Sequence, residues 1–295
     1  MTALDTYTRA SQRAAKAVIA GYSTSFGTAT TLLGPSHRAH IRNVYALVRI
    51  ADEIVDGLPA EAGLSPEDES AMLEGFIAET HRALARGLSS DLVIHAFAHT
   101  ARITGIDRDL VDPFFASMRT DLQANADRSV RRFTCQEHAE YVYGSAEVVG
   151  LMCLRVFLHD NPRTPDQTVL LERGARSLGA AFQNINFLRD LADDHARLGR
   201  SYLASDGALD AVGRDEWVDT IRRQLAEARE AIPLLPLDAR VAVDAATALF
   251  TALNDEIAVS PVDRLYRERV RISDPAKARL LVRSALTTVG KGRRR

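Results

Sequence analysis

The sequence predicts an all-α protein, for three reasons. Apolar residues make up 46% of the 295 residues, and over long stretches they recur at three- and four-residue intervals, the period of an amphipathic helix. Runs of alternating β-branched residues, which are typical of half-buried strands, are hardly visible. Two segments, 65–68 and 164–167, place a capping hydroxyl before a proline and an acceptor side chain three residues on, as helices begin.

Helix boundaries can be read from glycine and proline positions, and they divide one domain rather than two. Neither a flexible linker, a low-complexity tract nor an internal repeat interrupts the chain, so residues 1–295 are predicted to form a single helical domain. The predicted breaks lie at Gly34-Pro35, residues 57–66, Asn161-Pro162, Gly199-Arg200, residues 233–236, Ser260-Pro261 and Asp274-Pro275.

The segment 45–56 carries a narrow charged stripe on an otherwise apolar helix. Its charged residues are Arg49, Asp52, Glu53 and Asp56, and Asp52 and Asp56 share one helix face because they are four residues apart. Carboxylates on a mostly buried helix are costly unless they meet cations. Arg49, one turn before Asp52, is such a cation.

A second polar stripe follows in the segment 181–194, again with helical period. Amide and acidic side chains fall on one side and apolar residues on the other; the polar set is Gln183, Asn186, Asp190, Asp193 and Asp194. Arg189 adds a guanidinium, whose paired donors suit a diphosphate.

Taken singly, each acidic cluster is more often a solvated helix face than a site. Two such clusters in one chain favour a different interpretation. Mg²⁺ binds one or two carboxylates and completes its coordination with water and substrate phosphate oxygens. The predicted ligand is therefore a phosphate or diphosphate held with divalent metal ions.

Several motifs together resemble the squalene and phytoene synthase family, and within it the bacterial phytoene synthases of the actinobacterial type. The resemblance covers nearly the whole chain and is strongest around the second acidic segment. The matching stretches are residues 22–26 (YSTSF), 45–56 (YALVRIADEIVD), 141–150 (YVYGSAEVVG) and 181–190 (AFQNINFLRD), followed by Asp193-Asp194, Gly199-Arg200 and Tyr202-Leu203.

This resemblance implies a single-domain isoprenoid synthase helical bundle with a central cavity. It also implies a transferase of carotenoid biosynthesis, a 15-cis-phytoene synthase that joins two geranylgeranyl diphosphates head to head through prephytoene diphosphate. Mg²⁺ is the expected cofactor, Mn²⁺ could replace it, and NADPH is not expected. Carotenoid-pathway enzymes are the implied protein partners. Two alternatives stay open: a squalene or dehydrosqualene synthase acting on farnesyl diphosphate, and a non-catalytic prenyl-diphosphate-binding partner protein.

The resemblance also assigns site residues. Metal binding is implied for Asp52, Asp56, Asn186, Asp190 and Asp194, and diphosphate binding for Arg49, Arg189 and Arg269. Tyr141 and Gln183 match polar positions near the reacting centre. Tyr22, Ser25, Phe26 and Tyr45 match further substrate-binding positions. Phe26, Phe114, Phe115 and Leu151 are candidates for the closed end of a prenyl tunnel, with ordinary core packing as the alternative.

Four positions depart from the family pattern. Tyr22 stands where many members have a basic or histidine residue, and Glu53 replaces an aspartate. Phe250 stands where relatives often have tyrosine, and Glu147 where the residue is usually small.

Other function classes receive less support. A net charge of −2 argues against a nucleic-acid binder, although the C-terminal end is basic, and its run Arg293-Arg294-Arg295 could contact anionic lipid weakly. No nucleotide-binding glycine loop follows a strand, and His159-Asp160 lacks further histidines at metal-ligand spacing. No secretory signal is visible, and no stretch is expected to span a bilayer. The two cysteines, Cys135 and Cys153, look structural. The prediction is therefore a cytoplasmic protein, with membrane association as an open alternative.

Overall fold

Helices dominate the described part of the protein. The computed structural model describes residues 1–23, 25–126, 131–193, 200–201 and 209–292. The helices are α1 (Ala3–Tyr22), α2 (Ser25–Thr30), α3 (Pro35–Val55), α4 (Leu58–Glu61), α5 (Pro66–Arg86), α6 (Leu92–Thr104), α7 (Arg108–Ala126), α8 (Cys135–Val142), α9 (Val148–Leu158), α10 (Pro165–Arg189), α11 (Leu191–Asp193), α12 (Ala211–Ala231), α13 (Leu237–Val259), α14 (Val262–Leu265) and α15 (Asp274–Gly292). A π-helical turn, Tyr143–Glu147, joins α8 to α9, and a 3₁₀ turn, Ile232–Leu234, follows α12. The predicted all-α fold class is confirmed.

The β structure of the described residues is one short parallel contact. Strand β1 (Arg131–Arg132) pairs with β2 (Arg200–Ser201), Arg131 opposite Arg200 and Arg132 opposite Ser201. This contact joins the chain that follows α7 to the chain that follows α11.

The predicted helix starts form as the capping residues require. The Ser65 hydroxyl accepts the backbone N–H of Asp68 at 3.2 Å at the start of α5. At the start of α10, the Thr164 hydroxyl accepts the N–H of Gln167 at 3.3 Å, and the Gln167 side chain accepts the N–H of Thr164 at 3.2 Å. Pro35 begins α3, as predicted. Of the other breaks, Gly199 lies outside the described residues.

Two large hydrophobic cores hold together the part of the bundle that the structure describes. The larger one joins α3, α5, α6, α7 and α9, with Leu47, Phe97, Phe114 and Met152 fully buried. The smaller one joins the second half of α10 to α12 and α13, through residues such as Ile185, Ile221 and Ile257. Helix α10 packs against both α9 and α12, so it stands between the two cores.

Glycines let α10 approach the α8–α9 stretch at backbone distance. A Cβ on Gly179 would lie 2.5 Å from the carbonyl oxygen of Ala146, and one on Gly150 would lie 2.5 Å from that of Ala175. Contacts this short exclude any side chain at either position. The same approach sets the width of the space enclosed by these helices.

In the part of the chain that the structure describes, one helical stretch has the length and composition of a membrane span. Within Cys135–Leu158, an 18-residue window has a mean hydropathy of 1.4, and 44% of that window is buried in the fold. The expectation that no stretch of this chain reaches that level is therefore wrong. The prediction that 148–158 forms a buried helix is confirmed, because Val148, Met152 and Val156 are core residues, and core helices of soluble proteins meet the same criteria.

Candidate active site

A cavity of about 580 Å³ lies between α3, α7, α9, α10, α12 and α13. The lining residues of three helical stretches show that the polar side chains gather at one end of the cavity. Along α3 the lining runs from Ile41 to Asp56, and along α10 from Leu171 to Asp190. The α8–α9 stretch runs in the opposite direction. Its lining begins at Tyr141, at the same end of the cavity as Asp56 and Asp190, and finishes at Phe157. The cavity therefore has a charged mouth and an apolar interior.

The first acidic segment forms one side of the mouth at the C-terminal end of α3. Asp52 and Asp56 both line the cavity, and the backbone N–H of Asp56, which caps the helix, donates to the carbonyl of Asp52 at 2.8 Å. Arg49 also lines the cavity, but its guanidinium is paired with Glu53 and lies 4.8 Å from the ring centre of Tyr22. Glu53 therefore holds Arg49 in place beside Asp52.

Asp52 lies in a strongly unfavourable setting for a carboxylate. Burial raises its pKa well above the usual range, and the nearby charges of Asp56 and Asp121 raise it further. Arg49 acts in the opposite direction and does not outweigh them. Burial and like charges both disfavour the ionised form of Asp52. A cation bound on this side of the mouth would therefore stabilise the carboxylate.

The second acidic segment forms the opposite side of the mouth at the C-terminal end of α10. Asp190 caps the helix, and its N–H donates to the carbonyl of Asn186 at 2.8 Å. Its carboxylate accepts from Arg269 Nε at 2.8 Å and is also paired with Arg189. All four side chains line the cavity. The structure thus brings together Arg189 and Arg269, which are far apart in sequence.

These residues fit a divalent cation of the kind that the sequence predicts. The Oδ1 atom of Asn186 is buried and has no hydrogen-bond partner, so an oxygen ligand is left unused. The C-terminal ends of α3 and α10, each with partial negative charge, also meet at this mouth and favour cations. Among the described residues, no three His, Cys, Asp or Glu side chains form a ready-made metal cluster. Metal binding here would therefore require further oxygen ligands, such as those of a diphosphate.

Asp121 is a candidate site residue that was not predicted from the sequence. It lines the cavity, is 3% exposed, and accepts a hydrogen bond of 2.8 Å from the Tyr141 hydroxyl. Tyr141, which the resemblance had identified, is 7% exposed. The sequence signal was weak because no second acid stands three or four residues from Asp121. Its place among Phe114, Phe115 and Met118 on one apolar helix was the available clue.

The remaining predicted site residues are only partly placed at the cavity. Gln183 lines it. Tyr22 is 49% exposed, and Tyr45 is half-buried, with its pKa raised by burial although a hydrogen bond with Ser23 lowers it; neither belongs to the described lining. Ser25 and Phe26 lie at the start of α2, but their side chains are outside the described structure. Asp194 is outside the described residues, and Asp193 is described only as part of α11.

Two departures from the family pattern have structural consequences. Glu147 accepts a hydrogen bond from Arg176 at 2.7 Å and is not among the residues that line the cavity. Phe250 stacks on Phe182, with ring centres 3.7 Å apart, and Phe182 belongs to the cavity wall. Phe250 thus supports the wall from behind, where a tyrosine would add a hydroxyl.

The apolar interior is lined by small residues on three helices. Gly174, Ala175 and Gly179 of α10 face Ala228 and Ala231 of α12 and Ala242 and Ala246 of α13. Larger side chains close the far end: Leu154, Phe157, Leu171 and Leu235. Of the tunnel-end candidates named from the sequence, Phe114, Phe115 and Leu151 are not in the described lining; they pack in the larger core.

Neither the two cysteines nor the His159-Asp160 pair has the surroundings of a nucleophile or a metal ligand at the cavity. Cys153 lies in the cavity wall, and burial raises its thiol pKa to about 12, which makes it a poor nucleophile. Cys135 is exposed, and both cysteines are free. His159 and Asp160 are 3.6 Å apart and exposed, outside the cavity lining.

Comparison with known proteins identifies relatives over most of the chain. Residues 19–276 match the family described as squalene/phytoene synthase. The chain is 31% identical to a 15-cis-phytoene synthase of a Paracoccus species, over 88% of this chain and 86% of the relative. It is 30% identical to phytoene synthase 3 of Zea mays, over 83% of this chain but 59% of the longer plant protein.

Solved structures share the fold. A dehydrosqualene synthase bound to a ligand superposes with a TM-score of 0.77 at 20% identity, covering 96% of this chain and 98% of the other. A squalene synthase from Alicyclobacillus acidocaldarius gives a TM-score of 0.69 at 18% identity, covering 88% and 96%. At such identities the likeness establishes the architecture alone.

Proposed function

Because this chain belongs to the squalene/phytoene synthase family, we propose that it joins two geranylgeranyl diphosphates head to head to give phytoene. Family membership makes it a head-to-head condensing prenyltransferase. The geranylgeranyl substrate, the 15-cis-phytoene product and the dependence on Mg²⁺ are the proposed part.

The observation that carries this proposal is the polarity of the cavity. Acidic and basic side chains gather at the mouth, whereas the interior is lined by Gly, Ala, Leu and Phe side chains. A prenyl diphosphate has the same division between a charged head and a long apolar tail. The head fits among the arginines and carboxylates, and the tail fits the interior, where burying it removes apolar surface from water.

The residues of the mouth can assist departure of diphosphate from an allylic carbon. Arg49, Arg189 and Arg269 are already positioned there by Glu53 and Asp190 and can donate to the oxygens on which negative charge develops. Asp52, Asp56, Asn186, Asp190 and Asp194 are the proposed Mg²⁺ ligands. Bound Mg²⁺ would supply Lewis-acid stabilisation of the leaving diphosphate.

The interior protects the carbocation that remains after ionisation. Water would convert an allylic cation to an alcohol, so the walls must exclude it. Tyr141 lines the cavity, and its hydroxyl donates to Asp121 at 2.8 Å. Because its single proton is donated to Asp121, the phenol oxygen can accept a hydrogen bond and direct proton loss in the second half of the reaction. It can donate to the departing diphosphate when the hydroxyl turns away from Asp121.

The substrate is the point at which the main alternative diverges. Squalene and dehydrosqualene synthases use the shorter farnesyl diphosphate, and the solved structures with this fold carry those names. The names of the sequence relatives favour phytoene, as does the row of small residues along the interior, which leaves room for longer tails.

The decisive experiment supplies purified protein and Mg²⁺ with geranylgeranyl or farnesyl diphosphate, with and without NADPH. The extracted product is then identified by mass spectrometry. Phytoene from geranylgeranyl diphosphate without NADPH supports the proposal. Squalene or dehydrosqualene from farnesyl diphosphate would replace it with the alternative, and Mg²⁺-dependent binding without any hydrocarbon product would indicate a non-catalytic binding protein.

Metal dependence can be tested with a matched pair of variants on α3. Asp52→Asn should lower kcat by about a thousandfold or more, because it removes a proposed ligand of the Mg²⁺ that would stabilise the leaving diphosphate. Glu53→Gln changes the adjacent charge, which pairs with Arg49, and should raise KM more than it lowers kcat. Equal kcat losses in both variants, or full activity of Asp52→Asn over a Mg²⁺ titration, would contradict the metal assignment.

The proposed setting is the cytoplasm, where carotenoid-pathway enzymes would supply the diphosphate and consume the hydrocarbon. Coupling is tested by adding a desaturase that acts on phytoene and measuring its rate with preformed and with freshly made product. Equal rates would exclude direct transfer between the enzymes.

A further inference from the structure

Positive charge is concentrated at the C-terminal end of this chain. Residues 262–295 contain 11 Lys and Arg and 3 Asp and Glu, whereas residues 1–261 contain 26 and 36. The overall charge of −2 therefore hides a basic end on an acidic protein. A separation of charge this large predicts an anionic partner for the basic part.

Helix α15 combines this charge with exposed apolar side chains on one face. Val282 is 59% and Leu286 is 70% exposed, and Arg279 and Arg283 are exposed beside them. With Ala278 they recur at three- and four-residue spacing, which places them on one side of the helix. We call these five residues the α15 outer face; an open, almost wholly apolar hollow lies along it.

The opposite side of α15 is used by the fold. Ser284 is buried, and the helix packs against α13. The outer face is thus turned away from the protein while its helix is anchored to the bundle. Two other exposed apolar residues have acidic neighbours instead. Val169 is 67% exposed and lies near Asp166 and Glu172 in the chain, and Val212 is 65% exposed and lies near Asp210 and Asp215.

We propose that the α15 outer face docks on an anionic lipid bilayer. Arginines attract phosphate headgroups, and apolar side chains between them can enter the acyl boundary, as in helices that lie in the membrane interface. A nucleic acid would use Arg279 and Arg283 but would leave Val282 and Leu286 in water. The pairing of both residue types on one face therefore favours lipid.

The docking face also lies close to the cavity mouth along the chain. Arg269 contacts Asp190 at the mouth, and α15 begins at Asp274, so the five intervening steps span at most about 18 Å. A bilayer on this face would lie near the mouth, through which the apolar product of the proposed reaction must leave. The docking itself requires no catalysis and can be tested without substrate.

The test is co-sedimentation of the full chain with vesicles of phosphatidylcholine alone or mixed with phosphatidylglycerol. Binding should require the anionic lipid and weaken as salt rises. Arg279→Gln/Arg283→Gln should weaken partitioning by about 30-fold, at roughly 1 kcal/mol for each arginine. Val282→Ser/Leu286→Ser should weaken it by about tenfold or more.

The matched control is Val169→Ser/Val212→Ser, which removes two equally exposed apolar side chains from an acidic setting and should leave binding unchanged. Thermal unfolding of each variant, at the same Tm as the parent, separates lost docking from lost structure. Binding by Val282→Ser/Leu286→Ser equal to that of the parent would overturn the proposal. So would tight binding to duplex DNA, insensitive to Val282 and Leu286, with no binding to anionic vesicles.

Discussion

Removing the hydroxyl of Tyr141 should destabilise the protein by about 2 kcal/mol. The hydroxyl donates to Asp121 at 2.8 Å, and both residues are buried, at 7% and 3% exposure. Hydrogen bonds to charged groups contribute roughly 1.5–3 kcal/mol, and removing the donor also leaves a buried carboxylate less well satisfied. Tyr141→Phe keeps the ring that packs on Phe133 and Phe187, so the loss should be electrostatic rather than a packing defect.

The free energy of unfolding is measured in urea, with Tyr143→Phe as the matched control. Tyr143 stands two residues along the same helical stretch, and its ring lies 5.3 Å from the Arg176 guanidinium, so a loss below about 0.5 kcal/mol is expected there. Asp121→Leu, alone and combined with Tyr141→Phe, completes a double-mutant cycle. The expected coupling energy is on the order of 1–2 kcal/mol.

Activity provides a second measurement on the same variants. If Tyr141 acts near the reacting carbons, kcat should fall for Tyr141→Phe and stay unchanged for Tyr143→Phe at a temperature where both are folded. Two results would refute the reasoning. One is equal stability of the two tyrosine variants, and the other is simple additivity in the cycle with Asp121→Leu.

Three further changes have expected outcomes. Burial lowers the pKa of His138 to about 4. Near pH 5 the unfolded chain therefore binds a proton that the folded protein does not, and the free energy of unfolding should fall by on the order of 1–2 kcal/mol from pH 7 to pH 5. His138→Gln should reduce this pH dependence, as measured by urea unfolding at each pH. Gly174→Ala places a Cβ 2.4 Å from that of Ala231 and should lower the unfolding free energy by about 1–3 kcal/mol, whereas Gly75→Ala, in open space on α5, should raise it slightly. Arg269→Gln should raise the KM for the diphosphate substrate about tenfold with little change in Tm, as measured by steady-state kinetics and thermal unfolding. An unchanged KM would contradict a role for Arg269 in binding the diphosphate.

The helices could be predicted from sequence because their causes are local. Capping side chains act on backbone groups three residues away, as Thr164 and Gln167 do, and prolines restrict the residues beside them. The apolar period gives the direction of each buried face. Length and composition alone, by contrast, did not distinguish a membrane span from a core helix in residues Cys135–Leu158, because burial depends on what packs around the helix.

The candidate site was predictable where helical spacing or family motifs mark it. Asp52 and Asp56, and likewise Asn186 and Asp190, share a face by their spacing, and both pairs line the cavity. Asp121 was not predictable in this way, because no other acidic residue lies three or four positions from it on α7, and its hydrogen bond comes from Tyr141, which is 20 residues away in the chain. The tunnel-end candidates Phe114 and Phe115 show the same limit, since an aromatic residue in a core and one in a cavity wall look alike in sequence.

The sequence by itself determined the helical class, the helix starts, the two acidic faces and the basic end of the chain, since each depends on neighbours within a few residues. The tertiary structure decided which of these meet. It placed Arg269 on Asp190 at 2.8 Å, Tyr141 on Asp121, and the small side chains of α10, α12 and α13 around one interior. These contacts join residues distant in the chain, and their geometry follows from how the helices pack rather than from local sequence preferences.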